Sequence, residues 1–171
     1  QAGVEIAVAS TKAYTNQCAA FYILANMLSG KGTQATKQIR KLSNQIKKIL
    51  SSTYVSELQR LANKIKSTKN VFFIGKNYDY ITACEASLKL KEISYINCSA
   101  LPAGELKHGT LALVEKGVQV IAISTEKRLA SKVENATNET VSRGASALTI
   151  TTLDKEFSHS QVISLPHIKT E

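Results

Sequence analysis

The chain has 171 residues, 43% of them apolar and 20% charged, with a formal net charge of +9. These totals are ordinary for a soluble globular protein and suit one complete domain, or one and a piece of another. They exclude a membrane-embedded chain: the longest apolar-rich stretch, Cys18 to Leu28, is broken by Asn26 and falls short of the ~20 residues that span a bilayer. Gln1-Ala-Gly-Val has neither a basic start nor a signal-like apolar segment, so a cytoplasmic location is expected. The one methionine is Met27, so the chain is expected to be a processed or cut product or part of a longer polypeptide.

Val4-Glu5-Ile6-Ala7-Val8 alternates and predicts a short strand. Ser10 then has the character of a helix N-cap, and Lys12 to Leu28 predicts a helix closed near Gly30 and Gly32. A second helix is predicted from Gln34 to Leu50, and a third from Tyr54 to Ile65, with Ser51-Ser52-Thr53 as the joint. From Lys31 to Lys69 there are ten Lys or Arg and one acid, Glu57, but Tyr54 is the only aromatic. A single-strand nucleic-acid surface needs stacking rings among its charges, so no nucleic-acid partner is expected. Lys37, Arg40, Lys41, Lys47 and Lys48 read as the solvated face of an amphipathic helix whose apolar side carries Ile39, Leu42, Ile46, Ile49 and Leu50.

The pattern then changes. Val71-Phe-Phe-Ile74 is a wholly apolar run stopped by Gly75, a strand entering a helix through a glycine turn. Further strands are predicted at Cys98–Leu101, Val118–Ser124, Ala147–Thr151 and Gln161–Leu165, with a helix over Leu129–Val141. Strands apolar on both faces and alternating with helices predict an α/β fold, a doubly wound parallel sheet covered by helices on both sides. Gly75-Lys76-Asn77 is a candidate phosphate or sugar loop at the carboxyl end of the first strand; an ordinary tight turn explains it equally well.

The cysteines, Cys18, Cys84 and Cys98, are odd in number and far apart, which gives neither a disulfide framework nor a zinc site. Cys84 and Cys98 read as small core residues in a reducing compartment. His108, His159 and His167 have no metal-ligand spacing, and no metal or cofactor is expected.

Ile81 to Ile96 holds the most informative pattern. At about 100° per residue, Glu85, Lys89 and Glu92 fall within an arc of roughly 60° on a helix otherwise almost wholly apolar. Ala83, Ala86, Leu90 and Ile93 form the opposite side, and Cys84, Leu88 and Tyr95 extend the apolar surface. A helix apolar nearly all round is normally buried. Two carboxylates and an ammonium in a sheltered cleft have tunable pKa values suited to proton transfer. From the spacing alone, a solvated stripe of i,i+3 and i,i+4 ion pairs is the better explanation, so further evidence has to come from elsewhere in the chain.

Four separated stretches resemble one family. They are Glu5-Ile-Ala-Val-Ala-Ser-Thr-Lys-Ala-Tyr-Thr15, Phe73-Ile-Gly75, Glu85-Ala-Ser-Leu-Lys-Leu-Lys-Glu-Ile-Ser-Tyr95 and Ala103-Gly-Glu-Leu-Lys-His-Gly109. In order and spacing they are similar to the sugar isomerase half of the glutamine–fructose-6-phosphate aminotransferases, or glucosamine-6-phosphate synthases. The resemblance implies two sugar isomerase (SIS) domains of flavodoxin-like or Rossmann-like form. Residues 1–52 would be the end of the first with a helical connector, and 53–171 most of the second. The family's glutaminase domain and most of its first SIS domain, with the serine-rich phosphate loop, would then be partners in the parent chain. The family's carboxy-terminal tail, with its catalytic lysine, would also lie outside this chain.

By the same resemblance the substrate is a sugar phosphate, fructose 6-phosphate, converted with glutamine-derived ammonia to glucosamine 6-phosphate. Glu92 matches the isomerising base, with Lys89 and Glu85 as its polar partners. His108 matches the ring-opening histidine, which the adjacent subunit supplies, so a homodimer is implied. Val8, Ala9 and Ser10 match a segment lining the sugar pocket. Two positions depart from the family: Thr110 stands where proline is usual, and Asn77 replaces the second glycine of a Gly-Arg-Gly turn. A fructosamine-6-phosphate deglycase and a non-catalytic sugar-phosphate-binding domain remain as rival readings, and a chain of this extent is expected to be inactive alone.

Overall fold

A computed structural model describes residues 2–51, 53–68 and 70–166, which fall into two compact units, one up to Arg60 and the other from Leu61 onward. In the first unit, helix α1 (Lys12–Leu28) and helix α2 (Gly32–Ile49) are joined by a turn in which Gly30 has φ 75°. The lysines and arginine of the basic stretch on α2 are all exposed, while Ile39, Leu42, Ile46 and Ile49 are half-buried, as the pattern requires. Helix α3 (Thr53–Ile65) crosses the boundary between the units.

Two expectations for the first unit fail. Val4 to Val8 forms no strand; Val4, Ile6 and Val8 stand 81–97% exposed. A strand needs a neighbour to satisfy its backbone, and no described segment pairs with this one. Ser10 is not the cap of α1: the N-cap is Thr11, without a side-chain bond, and the Glu5 carboxylate instead accepts the Ala13 N–H at 2.9 Å. That bond holds the Glu5 carboxyl below the ordinary range, despite opposition from partial burial.

The second unit is built on five parallel strands: β1 (Asn70–Gly75), β2 (Asn97–Pro102), β3 (Gln119–Ser124), β4 (Ser146–Thr151) and β5 (Gln161–Ser164). Their spatial order is β2-β1-β3-β4-β5, the flavodoxin-like arrangement. Helix α4 (Tyr78–Ser94) connects β1 to β2, and helix α5 (Ala130–Ser142) connects β3 to β4. The two crossovers run in opposite directions along the sheet. Right-handed connections therefore put α4 and α5 on opposite faces, so the sheet is doubly wound. The order reverses between β1 and β3, the crevice where such sheets hold ligands.

The core explains the apolar runs. Phe72, Ile74, Val120 and Ala122 pack with Val133 and Ala136 of α5 and with Leu106 and Val114, from the segment that leads from β2 to β3. Ile74, Val120, Val133 and Leu106 are wholly buried, and burial of each such side chain is worth about 1.5–3 kcal/mol. On α4 the buried residues are only Asp79, Ala83 and Ser87, with Ala86 and Leu90 half-buried. The expectation of a helix buried nearly all round is corrected here: Ile81, Leu88, Ile93 and Tyr95 are exposed. Of the two cysteines expected in the core, Cys98 is buried and Cys84 is exposed. The helix also starts three residues before Ile81 and stops at Tyr95, whose left-handed φ of 58° ends the α-helical bonding.

The first turn of α4 lies directly against β1. A Cβ placed on Gly75 would stand 2.5 Å from the backbone C and O of Asp79 and 2.7 Å from the Tyr80 N. Backbone atoms cannot swing aside, so Gly75→Ala is expected to destabilise the protein by about 3 kcal/mol. Urea unfolding measures this; a loss below about 0.5 kcal/mol would show that the helix does not press on the strand.

Candidate active site

The lysine between two carboxylates exists as a physical unit. Lys89 Nζ lies 2.6 Å from Glu92 Oε2, where it donates a hydrogen bond, and 3.7 Å from Glu85 Oε1. The three side chains retain only 18% (Lys89), 23% (Glu85) and 26% (Glu92) of their exposure, although they lie on the flank of α4 away from Ala83 and Ser87. The bond to Glu92 holds the Lys89 ammonium above its ordinary pKa; partial burial opposes this, and the charges of Glu92 and Glu85 add to it. The Lys89 ammonium thus sits between two carboxyl groups, each with an oxygen outside the 2.6 Å contact.

What aims this unit is the turn before α4. Asn77 occupies φ 56°, ψ −123°, a conformation that favours glycine, so the position has the geometry of the family's glycine although it is asparagine. Its Nδ2 donates to Glu126 Oε1 at 2.9 Å. Burial pushes the Glu126 carboxyl up, but the Asn77 and Arg128 hydrogen bonds outweigh it and leave the group below its ordinary range. Two residues on, the Asp79 carboxylate, 4% exposed, accepts the Thr125 N–H at 2.8 Å and the Thr125 hydroxyl at 2.6 Å. These bonds span the crevice between the ends of β1 and β3 and place two carboxylates there. Gly75-Lys76-Asn77, the candidate phosphate or sugar loop, forms the turn from β1 into α4 beside them.

His108 sits in the turn that follows β2. The Ala103 N–H bonds to the Gly75 carbonyl at 2.7 Å, Leu106 is fully buried, and Lys107 Nζ pairs with Glu139 Oε1 of α5 at 2.7 Å. The His108 N–H closes a turn on the Glu105 carbonyl at 3.0 Å, and Gly109 follows at φ 129°, which lets the chain reverse into a 3-10 turn at Thr110–Leu113. The loop is thus pinned on both sides of a histidine whose own side chain is exposed. No hydrogen bond or ion pair joins it to Lys89, Glu85 or Glu92 among the described residues.

Val8, Ala9 and Ser10 belong to the first unit, where Val8 is exposed, Ser10 half-buried and Ala9 buried. An apolar cavity of about 600 Å³ between α1 and α2 is lined by residues such as Cys18, Tyr22, Ile39 and Leu42, none of them among the expected site residues. Sequence reasoning missed Asp79, Thr125 and Glu126. An acid in the first turn of a helix was visible, but its partner, 46 residues further on, follows only from the strand order. No cluster of His, Cys, Asp and Glu among the described residues has the arrangement of a metal site.

A parallel sheet of this order with helices on both faces defines a doubly wound α/β domain. The model of the SIS domain family matches residues 64–161, and the chain belongs to that family. It is 46% identical over 151 residues to the glutamine–fructose-6-phosphate aminotransferase (isomerizing) of Caldanaerobacter subterraneus subsp. tengcongensis, covering 84% of this chain and 24% of that protein. With the same enzyme of Lactococcus lactis subsp. lactis it shares 46% identity over 158 residues, 87% of this chain and 26% of the relative. Among solved structures, the C-terminal domain of glucosamine-fructose-6-phosphate aminotransferase from Francisella tularensis superposes with a TM-score of 0.78 at 33% identity, over 95% of this chain and 48% of that one. The chain spans about a quarter of the length of the curated relatives it matches.

Asn77 offers a test of the turn. Asn77→Gly and Asn77→Ala both remove the bond to Glu126, so their difference isolates the backbone. At φ 56° the glycine variant should be more stable than the alanine variant by about 1–2 kcal/mol. Denaturant midpoints compare the two, and equal stability would mean that the turn is unstrained.

Proposed function

We propose that this chain is the isomerase portion of a glutamine–fructose-6-phosphate aminotransferase. It would act on fructose 6-phosphate and glutamine-derived ammonia to give glucosamine 6-phosphate. The observation that carries the reading is the Lys89 ammonium held 2.6 Å from Glu92 and 3.7 Å from Glu85 on a part-buried helix face. The relatives at 46% identity add their printed activity as support.

Ammonia condenses with the C2 carbonyl to an imine, water leaving, and the chemistry then requires one group that removes a proton from C1 of that imine and returns it to C2. Glu92 takes that role. Its carboxylate accepts the C1 proton as the electron pair moves to form the enolamine, and the same proton is delivered to C2 as the aldose forms. Lys89 orients the Glu92 carboxylate through the 2.6 Å hydrogen bond that it donates to Oε2. Glu85 balances the ammonium when Glu92 is protonated and is placed to handle protons on the neighbouring oxygen or nitrogen.

His108 opens the sugar ring, as an imidazole that can both donate and accept a proton. Its exposure on a pinned loop suits presentation to a second subunit, so the parent enzyme is read as a homodimer. Val8, Ala9 and Ser10 line the sugar pocket in this reading, partly through backbone atoms. The glutaminase domain and the first SIS domain are partners in the parent chain, with residues 1–52 ending the first SIS domain and 53–171 forming most of the second. The free thiols of Cys18, Cys84 and Cys98 suit a reducing, cytoplasmic setting.

Glu92→Gln in the parent enzyme tests the assignment. Loss of the base should lower isomerisation by about 10²–10⁴-fold while fructose 6-phosphate affinity changes little. Turnover near that of the wild type would remove Glu92 from the mechanism. The 171-residue chain by itself should show little or no synthase turnover, since phosphate anchoring and ammonia supply fall to the partner domains; robust turnover would contradict the division of labour.

A further inference from the structure

The residues that hold α4 in place are distinct from those that would do chemistry on it. A helix is normally fixed on a sheet by large side chains seated between strands. Helix α4 has little of this kind: its buried residues are Asp79, Ala83 and Ser87, and its larger residues Tyr80 and Leu90 are only half-buried. Small side chains allow close approach but resist rotation about the helix axis poorly. The N-cap, Asn77, makes no capping bond either. The strongest directional contact of the helix with the rest of its unit is Asp79, whose two carboxylate oxygens each accept one bond from Thr125, at 2.8 and 2.6 Å. Thr125 follows directly on β3, a strand buried along its whole length, so the contact ties the helix to the most rigid part of the sheet.

From this we infer that Asp79, clamped by Thr125, is a positioning residue that sets the rotation of α4 and with it the placement of Glu85, Lys89 and Glu92. The inference rests on the reading of those three as the proton-transfer group. The leverage is geometric. A side-chain head lies about 6 Å from a helix axis, so a rotation of about 10° moves the Glu92 carboxylate by about 1 Å. A 1 Å error at a reacting group is enough to cost about 10²-fold in rate. The clamp touches neither the sugar nor the reacting carboxylate and acts only through the helix.

Three variants separate the contributions. Asp79→Ala removes both bonds, Thr125→Val removes the hydroxyl bond alone, and Thr125→Ser keeps both. In the 171-residue chain, hydrogen exchange reads the helix directly. Thr125→Val should raise exchange by about 10-fold along α4 from Ala83 to Glu92, leave α5 unchanged, and be reversed in Thr125→Ser. Acceleration confined to residues 77–81, or none, overturns the clamp. In the parent enzyme the same Thr125→Val should lower kcat by about 10–100-fold with KM within about 3-fold, and Thr125→Ser should restore it. Unchanged kcat in an enzyme that Glu92→Gln silences overturns the positioning role. Isomerisation that survives Glu92→Gln would instead sink the reading of the active site, and α4 exchange would still decide the clamp. If Asp79→Ala does not fold, Thr125→Val carries both measurements.

Discussion

A single ammonium shared by two carboxylates governs how the rest of this domain reads. Lys89 is fixed against Glu92 at 2.6 Å and kept near Glu85, and all three side chains have lost about three-quarters or more of their exposure. An exposed ion pair of this kind would contribute little, since water and side-chain entropy offset the attraction. Here the pair is part-buried, on the flank of the helix turned away from its own sheet, where water screens it less. The fold supplies that setting through a crossover helix with one small-residue face for the sheet and the charged triplet on the opposite flank.

That arrangement departs from the usual use of a doubly wound sheet. Ligands of such folds occupy the crevice at the carboxyl ends of the strands, where the order reverses. Here the crevice between β1 and β3 is crossed by Asp79–Thr125 and Asn77–Glu126. Helix α4 starts at that edge and runs back about 20 Å to Glu92, at a rise of about 1.5 Å per residue. The switch point has therefore become an anchoring point, and the charged groups lie toward the far end of the helix. Space made by Gly75, whose substitution would meet the Asp79 backbone at 2.5 Å, lets the anchor form.

Much of this was legible before any coordinates. The apolar runs at Val71, Val118 and Ala147 marked strands buried on both faces, and their alternation with helices gave the parallel sheet correctly. The one-sided arc of Glu85, Lys89 and Glu92 followed from helical geometry alone and survives as real contacts. Other features were hidden by their nature. Alternation at Val4–Val8 reports β character, but pairing depends on a neighbour that no local pattern reveals. Ser10 had the right chemistry for a cap, yet a carboxylate five residues earlier was better placed to meet the Ala13 N–H. The α4 apolar count misled because small residues face the sheet while Ile81, Leu88 and Tyr95 face outward. Asp79 and Thr125 are distant in sequence and become neighbours only once β1 and β3 pair.

The exposed apolar residues of α4 bear on the same division. Ile81 and Leu88 lie seven residues apart, which puts them in one stripe beside the charged arc, and Tyr95, which ends the helix, is exposed as well. A helix that faced only water would gain nothing from large apolar groups there, whereas a helix that closes over a substrate needs apolar walls next to its ionic groups to exclude solvent and strengthen their mutual interaction. The sheet-facing side shows the complementary choice: Ala83 and Ser87 are too small to compete with the Asp79 clamp for control of the helix's rotation. Specific polar bonds set the angle, small residues permit the approach, and the outward flank is left to combine charge with apolar cover. Each face of one seventeen-residue helix thus answers to a different physical demand, and α4 meets them without needing a large buried core of its own.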